Sequence, residues 1–335
     1  MNDYFKLSVE DKRRVLQQTS ARLGLPPQAI EKDLWVTTIL QIVFTLPFSD
    51  SLIFKGGTSL SKVWHLIERF SEDIDISIDR SLFGVDGDLT KRELKKLRKI
   101  SSLFVKNEFC TSLQKRIDEL NLSASCKLEY QPDGEGDLTY PEPRKIFVKY
   151  QSAWDTPIEY LSPIVMLEIG ARSLSEPNQE SNICSIVEKT FPSIQTTICD
   201  SRVKTALASK TFLEKVFLLH ELFSVVGHAD VAERKSRHLY DLWRMMDKDF
   251  VAKAIKDDEL WESIRHHREI FTNVRNVDYT PDVRKRIVLV PQEKYLNAWE
   301  QDYKNMGSSM IFGEKPTFRE LLAKMKMLEN LFHES

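Results

Sequence analysis

Residues 51–78 read SLIFKGGTSLSKVWHLIERFSEDIDISI, and this stretch decides the predicted fold. Its first five residues are mostly apolar and predict a short buried strand, which the Gly56-Gly57 pair ends. Residues 58–70 then carry apolar side chains at helical spacing. After Ser71 the sequence alternates acidic or polar residues with isoleucine, which is the period-two pattern of a strand with one buried face. The predicted order is therefore strand, glycine turn, helix, strand.

The glycine turn suits the binding of a phosphate group. Gly56 and Gly57 let the backbone approach a phosphate without a Cβ in the way, and the helix that follows offers unpaired N–H groups and a positive dipole end. Thr58 and Ser59 add hydroxyl donors, and Lys62 lies one turn further on, from where it could reach a triphosphate. The turn is not a Walker P-loop, because no G-x-x-x-x-G-K-[ST] pattern is present. We therefore predict a nucleotide-binding turn at residues 56–62.

Asp73 and Asp75 are candidate metal ligands and catalytic residues. They are two apart on a predicted strand, so both side chains point to the same face. Neighbouring carboxylates repel each other unless a hard cation such as Mg²⁺, or Mn²⁺ in its place, binds between them. A metal held there would activate an attacking hydroxyl and stabilise a leaving pyrophosphate. A glycine pair or an Asp-x-Asp pair alone is usually structural, but their combination in this order is more specific.

The composition predicts a soluble globular protein of two or three domains. The chain has 335 residues, of which 41% are hydrophobic and 29% are charged, and its net charge is −2. Its four cysteines show no close pairing, which favours a reducing cytoplasm over a disulfide framework. The N-terminal residues lack the apolar core of a signal peptide, and no apolar run reaches the length of a membrane span. We therefore expect a cytoplasmic protein without a membrane contact.

The elements along the chain predict an α+β fold. A helical lead over residues 1–48 precedes an α/β core over 49–200, and a helical domain follows over 201–335. No glycine-rich linker separates them, so we expect the halves to pack around one cleft. Beyond the two strands above, the core has three more strand candidates, at residues 125–131, 145–151 and 164–171. The predicted core is a small mixed sheet flanked by helices.

A basic run lies within the core, on a predicted helix. Lys91 to Lys99 read KRELKKLRK, with six basic residues against one glutamate. Such a run is usually a solvated helix face, and a nucleic-acid contact is the functional alternative.

Several blocks of the sequence resemble one family. KGGTSLSK at 55–62 and RFSEDIDI at 69–76 are similar to blocks of the AbiEii/AbiGii nucleotidyltransferase toxins, within the DNA polymerase β superfamily. IEKDLWVT at 30–37 resembles an upstream block of that branch, and TFLEK at 211–215 and RHLYDL at 237–242 resemble two downstream blocks. The spacer between the glycine turn and the acidic strand is longer than the superfamily norm. No recognised motif lies beyond about residue 250.

The resemblance implies a polymerase β-type core with a C-terminal helical domain. It also implies transfer of a nucleoside monophosphate from an NTP to an acceptor hydroxyl, either on RNA, such as a tRNA 3′ end, or on a protein. The implied role is the toxin of a type IV toxin–antitoxin or abortive phage-infection system, restrained by a cognate antitoxin protein. A kinase-like transfer of the γ-phosphate and a non-catalytic nucleotide- or RNA-binding module are the alternatives.

The resemblance also implies two catalytic residues in the C-terminal helices. Lys215 matches the lysine of the third block, which would contact nucleotide phosphate, and Asp241 matches the acid of the fourth block. A structural ion pair of Asp241 with Arg237 or Arg244 is the alternative. The chain departs from the family pattern at His238, where many relatives have aspartate, so a role of that acid is lost or supplied elsewhere.

Glu168 and Arg69 complete the candidate site. Polymerase β folds place a third acid on a strand beside the first two, and Glu168 interrupts an otherwise apolar strand, so we expect it to be a third metal ligand. A salt bridge with Arg172 is the alternative. Arg69 precedes the acidic strand and is a candidate for neutralising phosphate, with an ion pair to Glu72 as its alternative.

Overall fold

The computed structural model describes residues 2–71, 73–87, 89–136, 139–155, 161–172, 177–195, 198, 202–225 and 232–335. The chain forms two compact units. The first unit comprises Met1–Val63 and Ser71–Ala206, and the second comprises Trp64–Phe70 and Leu207–Ser335. The predicted N-terminal lead therefore lies in the same unit as the α/β core.

The first unit is built on a mixed β-sheet. Its strands are β1 (Asn2–Asp3), β2 (Leu52–Lys55), β3 (Asp73–Ile78), β4 (Cys126–Tyr130), β5 (Arg144–Tyr150), β6 (Ile164–Gly170), β7 (Asn178–Asn182), β8 (Ile194–Gln195) and β9 (Arg202–Ala206). Among the described residues, seven strands form one sheet in the order β4-β5-β6-β3-β2-β9-β7, and β1 pairs with β8. The pairs β3–β6 and β2–β9 are parallel, whereas β2–β3 and β5–β6 are antiparallel. The predicted α+β class with a mixed sheet is confirmed.

The helices of the first unit begin and end where local chemistry favours it. They are α1 (Val9–Leu23), α2 (Pro27–Val43), α3 (Gly56–Lys62), α4 (Lys91–Phe104), α5 (Cys110–Glu119) and α6 (Ile186–Thr190). The Ser8 side chain caps α1 by accepting from the Asp11 N–H, and Gly24 ends that helix with a φ of 69°. Pro27 occupies the first position of α2, where its missing N–H costs nothing.

Burial of one face of the sheet fixes the direction of the acidic residues. Ile74, Ile76 and Ile78 of β3 are buried with at most 2% exposure. Fully burying each isoleucine contributes about 1.5–3 kcal/mol. A slip of one residue in the pairing would turn these side chains to the opposite face, so their burial holds the register. Asp73 and Asp75 are consequently held half-buried on β3.

The second unit is helical. Its helices are α7 (Ala208–Ser224), α8 (Ser236–Met245), α9 (Asp249–Ile255), α10 (Asp258–His267), α11 (Leu296–Ser309) and α12 (Phe318–His333). Aromatic side chains fill its core, with Phe217 of α7 against Trp261 at 4.6 Å and Phe223 against Trp299 at 4.8 Å between ring centroids. The Asp257 side chain caps the beginning of α10 by accepting a hydrogen bond from the Leu260 N–H. None of the helices in the described ranges is long and apolar enough to cross a bilayer.

The predicted helix over residues 58–70 is wrong in its second half. Helix α3 ends at Lys62, and His65 has a φ of 51°, which breaks the helical path. Residues 64–70 belong to the second unit, where Ile67 is buried and the Phe70 N–H donates to the Met310 carbonyl at 2.8 Å. Tertiary contacts therefore override the local helical pattern there.

Candidate active site

The Gly56 backbone lies directly against the Asp75 carboxylate. Gly56 has a φ of +78°, and a Cβ placed on it would be 1.9 Å from Asp75 Oδ2 and 2.7 Å from the carboxyl carbon. The pairing of β2 with β3 sets this contact, because Lys55 lies opposite Asp75. The glycine turn and the acidic strand, which are 19 positions apart at Gly56 and Asp75, thus meet at one point in space.

Gly56→Ala is expected to abolish activity at this site and to lower the free energy of unfolding by a modest amount. A non-glycine residue in the left-handed region costs about 1–3 kcal/mol, and the new methyl group would also displace the Asp75 carboxylate. Nucleotide transfer and thermal unfolding of the variant measure the two effects.

Gly24→Ala is the matched control for this substitution. Gly24 has a φ of +69°, but a Cβ there would meet nothing within 4 Å. Gly24→Ala should therefore lose a similar unfolding free energy and keep its activity. A Gly56→Ala protein with normal transfer would show that the contact between the turn and Asp75 has no catalytic role.

A row of charged residues crosses four strands through Asp75. The register places Lys145, Glu168, Asp75 and Lys55 opposite one another on β5, β6, β3 and β2. Residues paired in this way have their side chains on the same face of the sheet, and Asp73 shares that face because it is two positions from Asp75. Glu168 is thus the acid directly beside Asp75 on the neighbouring strand.

In the structure, Glu168 forms an ion pair with Lys145. Lys145 Nζ lies 2.8 Å from Glu168 Oε1, and both side chains are partly exposed. The expected alternative was Arg172, which lies beyond the end of β6. Arg172 interacts electrostatically with Glu142, and burial raises the pKa of Glu142 against the effect of that arginine. Antiparallel pairing of β5 with β6 sets Lys145 opposite Glu168.

The two aspartates of β3 suit a metal ion that is shared with a substrate. Among the described residues, no group of three or more histidine, cysteine, aspartate and glutamate side chains is arranged to hold a metal ion. Mg²⁺ usually binds to one or two carboxylates together with substrate phosphates and water, rather than in a cage made only of protein ligands. Asp75, beside a backbone that carries no Cβ at Gly56, and Asp73 on the same face of β3 fit that mode of binding.

The hydroxyl groups of the turn are engaged within the protein. Thr58 Oγ1 is hydrogen-bonded to Ser71 Oγ at 2.9 Å and to the Asp73 carbonyl. Ser59 Oγ donates to the Gly56 carbonyl at 2.8 Å. Both Thr58 and Ser59 are fully buried. Both hydroxyls were expected to be phosphate donors, but Thr58 joins the turn to β3 and Ser59 stabilises the turn itself.

Lys62 is tied to α2. Its Nζ donates to Asp33 Oδ1 at 2.5 Å and to Thr37 Oγ1 at 2.6 Å, and both members of the ion pair are largely buried. Asp33 Oδ2 also accepts from the Ile186 N–H at 2.8 Å. Lys62 was expected to reach a triphosphate, and a phosphate group would have to compete with Asp33 for its ammonium. The pair joins residues 29 positions apart, so no local pattern predicted it.

In the second unit, Asp241 is held by two cations. Arg69 donates from Nε and Nη2 to the two carboxylate oxygens at 2.6 and 2.7 Å, and Lys215 Nζ lies 2.9 Å from Oδ2. Burial alone would raise the pKa of Asp241, but Arg69 and Lys215 outweigh it and hold that pKa below its usual range. The expected partner of Arg69, Glu72, lies outside the described residues.

The two cations that hold Asp241, Arg69 and Lys215, are not the ones that its neighbours in sequence suggested. Arg244, which follows Asp241 on α8, has its Nη2 2.9 Å from Glu68 Oε1. Arg237, which precedes Asp241 on the same helix, is half-buried, and its positive charge lowers the pKa of nearby Lys215. The bidentate pair with Arg69 joins residues 172 positions apart, which no local pattern could indicate.

His238 lies against Lys215. Its Nδ1 is 3.4 Å from Lys215 Nζ. Burial lowers the pKa of His238 well below the usual value, and the charges of Lys215 and Arg237 act in the same direction. Burial likewise lowers the pKa of Lys215, against the effect of Asp241. We call Arg69, Lys215, Arg237, His238 and Asp241 the basic cluster.

A mixed sheet with a glycine turn against an acidic strand is the arrangement expected of a nucleotidyltransferase. The family profile described as nucleotidyl transferase AbiEii toxin of the type IV toxin–antitoxin system matches residues 39–324, and the chain belongs to this family. The match confirms the family resemblance and covers four of the five sequence blocks, since the block at 30–37 lies before the matched residues. It also extends past residue 250, where no motif was recognised.

The chain was also compared with solved structures and with curated protein sequences. MenT4, a nucleotidyltransferase toxin from Mycobacterium tuberculosis H37Rv, matches with a TM-score of 0.46 and 14% sequence identity. That match covers 97% of this chain and 98% of the other. No curated protein sequence matches the chain.

Proposed function

We propose that this nucleotidyltransferase toxin transfers a nucleoside monophosphate from an NTP to an acceptor hydroxyl, with Mg²⁺ or Mn²⁺ held by Asp73 and Asp75. The observation that supports this most is the contact of the Gly56 backbone with the Asp75 carboxylate. It places a Cβ-free surface, which a phosphate can approach closely, beside a carboxylate that can hold a metal ion. A bound metal ion would activate the acceptor hydroxyl and stabilise the leaving pyrophosphate.

In this proposal, the site residues of the first unit have separate roles in holding the cation and the turn. Asp73 and Asp75 supply the negative charge that holds the cation, and Thr58 fixes the turn to the backbone of Asp73. Lys145 pairs with Glu168 and so reduces the repulsion that a third carboxylate would add beside Asp75. In the reaction, the acceptor oxygen bonds to the α-phosphorus, and the bond to the β-phosphate breaks to release pyrophosphate.

The basic cluster of the second unit provides a place for a phosphate group. Lys215 and Arg237 bring positive charge to it, while Asp241 orients Lys215 and Arg69. Lysine and arginine are the side chains that proteins use most for phosphate. We propose Lys215 as the residue of this unit that contacts nucleotide phosphate.

Labelled nucleotides test the reaction class. The protein is incubated with Mg²⁺, total RNA or lysate, and each NTP carrying ³²P at either the α- or the γ-position. We expect only the α-label to reach an acceptor, and digestion with nuclease or protease identifies that acceptor. Transfer of the γ-label would assign a kinase-like reaction, and no transfer of either label would favour a binding module.

The exposed face of α4 favours RNA as the acceptor. Its basic side chains, here called the basic face, are Lys91, Arg92, Lys95, Lys96 and Lys99. All are exposed, and they lie within an arc of about 140° at roughly 3.6 residues per turn. The nearby acid, Glu93, is turned back to the helix cap, where it accepts from the Thr90 N–H at 2.8 Å and from the Thr90 hydroxyl at 2.7 Å. The face therefore presents almost only positive charge.

Replacing Lys91, Lys95 and Lys99 together by glutamine is expected to weaken RNA binding and its salt dependence. Each lysine that contacts a phosphate of a single strand contributes about 0.7 to the slope of log affinity against log salt, so loss of the three lysines should reduce that slope by about 2. RNA affinity of wild type and variant at several salt concentrations measures this slope.

The control removes the same charge from α9 and the positions directly before and after it. Lys248, Lys253 and Lys256 are also exposed, and their joint replacement by glutamine should leave RNA affinity unchanged. Equal losses in both triple variants would indicate a general charge effect, and no loss in either would remove RNA from the basic face.

The biological role follows from the family. A type IV toxin is paired with an antitoxin, so we propose a separately encoded antitoxin protein that restrains this chain, and a role in abortive phage defence. Toxicity of the chain in cells, and its relief by a neighbouring gene product, tests this role independently of the chemistry.

A further inference from the structure

Two apolar side chains lie beside Asp73 on the partly exposed face of the sheet. Phe147 of β5 pairs with Met166 of β6, and Met166 pairs in turn with Asp73 of β3. Paired residues have their side chains on one face of a sheet, so the three form a row. Phe147 and Met166 are partly exposed, whereas Ile146, which points to the other face, is buried. The ring of Phe147 therefore lies on the same side of the sheet as the acidic pair.

The row has a length that suits one nucleoside. Phe147 is two strands away from Asp73, and neighbouring strands are about 4.8 Å apart, so roughly 10 Å separates the two backbones. A nucleoside can bridge this span with its base on the ring and its ribose hydroxyl near the aspartate. Met166 lies between the two, and its flexible thioether suits contact with an aromatic group.

The row lies on the side of β3 that is opposite to the glycine turn. The turn follows β2, the neighbour of β3 on one side, whereas β6 and β5 lie on the other side. In phosphoryl transfer the attacking and leaving oxygens lie roughly in line, on opposite sides of the phosphorus. With the triphosphate on the turn, as proposed, pyrophosphate leaves on the side of β2. The attacking hydroxyl then comes from the side of β6 and β5.

Lysine side chains border the row. Lys145 and Lys149 flank Phe147 at two positions along β5, and Lys127 of β4 pairs with Lys149, so all three share the face of the ring. Glu129 is the acid among them, with Oε2 2.6 Å from Lys149 Nζ and Oε1 3.6 Å from Lys127 Nζ. An aromatic ring with positive charge around it is the combination that proteins use to bind single-stranded nucleic acids.

We propose that Phe147 is the stacking site for the terminal base of a single-stranded RNA acceptor, whose ribose hydroxyl then lies beside Asp73. This rests on the proposed function and deepens it, because it gives the acceptor one place and one class, RNA with an unpaired end. A base within a duplex is stacked on its neighbours, so an unpaired end is needed to reach the ring. Lys127 and Lys149 are placed to meet the phosphates that precede this base.

The affinity for a labelled single-stranded oligoribonucleotide tests this site, measured by fluorescence anisotropy with Mg²⁺ and without NTP. Phe147→Leu should weaken binding by about fivefold or more, because leucine fills the place of the ring but has no aromatic face for a base. Phe147→Tyr keeps that face and should stay within about twofold of wild type. The affinity for a blunt-ended duplex should not change in Phe147→Leu.

Tyr130→Leu is the matched control. Tyr130 is an exposed aromatic residue of the neighbouring strand β4, but it pairs with buried Ile146 and so lies on the other face of the sheet. This variant should bind RNA as wild type does. In transfer assays, Phe147→Leu should raise the KM for the RNA acceptor and leave the KM for the NTP unchanged. A loss of folding alone would not separate the two constants in this way.

A crosslinking measurement on the wild-type protein does not depend on how the variants fold. RNA that carries a photoreactive uridine at its 3′ end should crosslink to the peptide that contains Phe147. A crosslink confined to α4 would overturn the inference.

Three results with the variants would also overturn it. They are unchanged RNA affinity in folded Phe147→Leu, an equal loss in Tyr130→Leu, and a raised KM for the NTP in place of the acceptor, which would assign the ring to the base of the NTP. Failure of the transfer reaction is a separate result, since RNA can bind at Phe147 where no nucleotide is transferred. Transfer to a protein acceptor, with no RNA bound at Phe147, would contradict this inference alone.

Discussion

Asp75→Asn is expected to lower nucleotide transfer by about 1000-fold or more while leaving the protein folded. Asparagine has nearly the same shape as aspartate, so it fits against Gly56, but it lacks the charge that holds a cation. Because Asp75 lies beside Glu168 and shares its face with Asp73, removing its charge relieves repulsion. The melting temperature should therefore be equal or higher. Transfer of α-label and a thermal melt measure the two effects.

Asp79→Asn is the matched control on the same segment. Asp79 follows β3 and caps the next turn by accepting from the Ser81 N–H at 2.9 Å. Asparagine is an equally good cap, so this variant should keep both stability and activity. Comparable inactivity of Asp79→Asn and Asp75→Asn would point to a general disturbance of the strand. Undiminished toxicity of Asp75→Ala in cells would favour a binding module over an enzyme.

Asp241→Asn is expected to destabilise the protein by about 3–5 kcal/mol. The substitution leaves the buried Arg69 and Lys215 without the carboxylate that both now contact. Urea unfolding measures the loss. Glu68→Gln is the control, because Glu68 is 41% exposed and solvent screens its pair with the less exposed Arg244, so the loss should be only about 1 kcal/mol. Similar losses in the two variants would contradict the special role of the buried pair.

The loss of unfolding free energy caused by Asp241→Asn should become smaller at acidic pH. The pKa of Asp241 lies below its usual range in the folded protein, so its ionised form stabilises the fold. That contribution is fully present above the unfolded pKa of about 3.9 and is lost as pH falls through the folded value. The difference in unfolding free energy between wild type and Asp241→Asn should therefore be constant from pH 5 to about 8 and shrink below about pH 4. A difference that grows on acidification would contradict the ion pair.

The central part of the site could be predicted from the sequence because its signals are local. The alternation of isoleucine with acidic residues in β3 reflects burial of one face, and that burial fixes where Asp73 and Asp75 point. Gly56 was predicted to allow close approach of the backbone, and its positive φ and its contact with Asp75 require a glycine. Ser8 and Gly24, which bound α1, act through contacts within one turn of chain.

The rest of the site depends on contacts between distant residues. Lys62 was assigned to phosphate because it follows the glycine turn, but Asp33 of α2 meets it in the folded unit. Residues 64–70 carry a helical pattern, yet Arg69 is drawn to Asp241 of the second unit's α8. Strands β7 and β9 were not predicted, since β7 is mostly polar and exposed and only Val203 and Ala206 of β9 are apolar. The spacing of apolar residues along a helix or strand does not indicate which distant residues will form an ion pair with it.

The most direct test of the central claim is a count of products from one reaction. Wild type and Asp75→Asn are each incubated with α-labelled NTP, Mg²⁺ and the identified acceptor, and both the labelled acceptor and the released pyrophosphate are measured. We expect wild type to yield the two products in equal amounts and Asp75→Asn to yield neither. Equal transfer by both proteins, or label in the acceptor without pyrophosphate, would contradict a nucleotidyl transfer that depends on Asp75 beside the Gly56 turn.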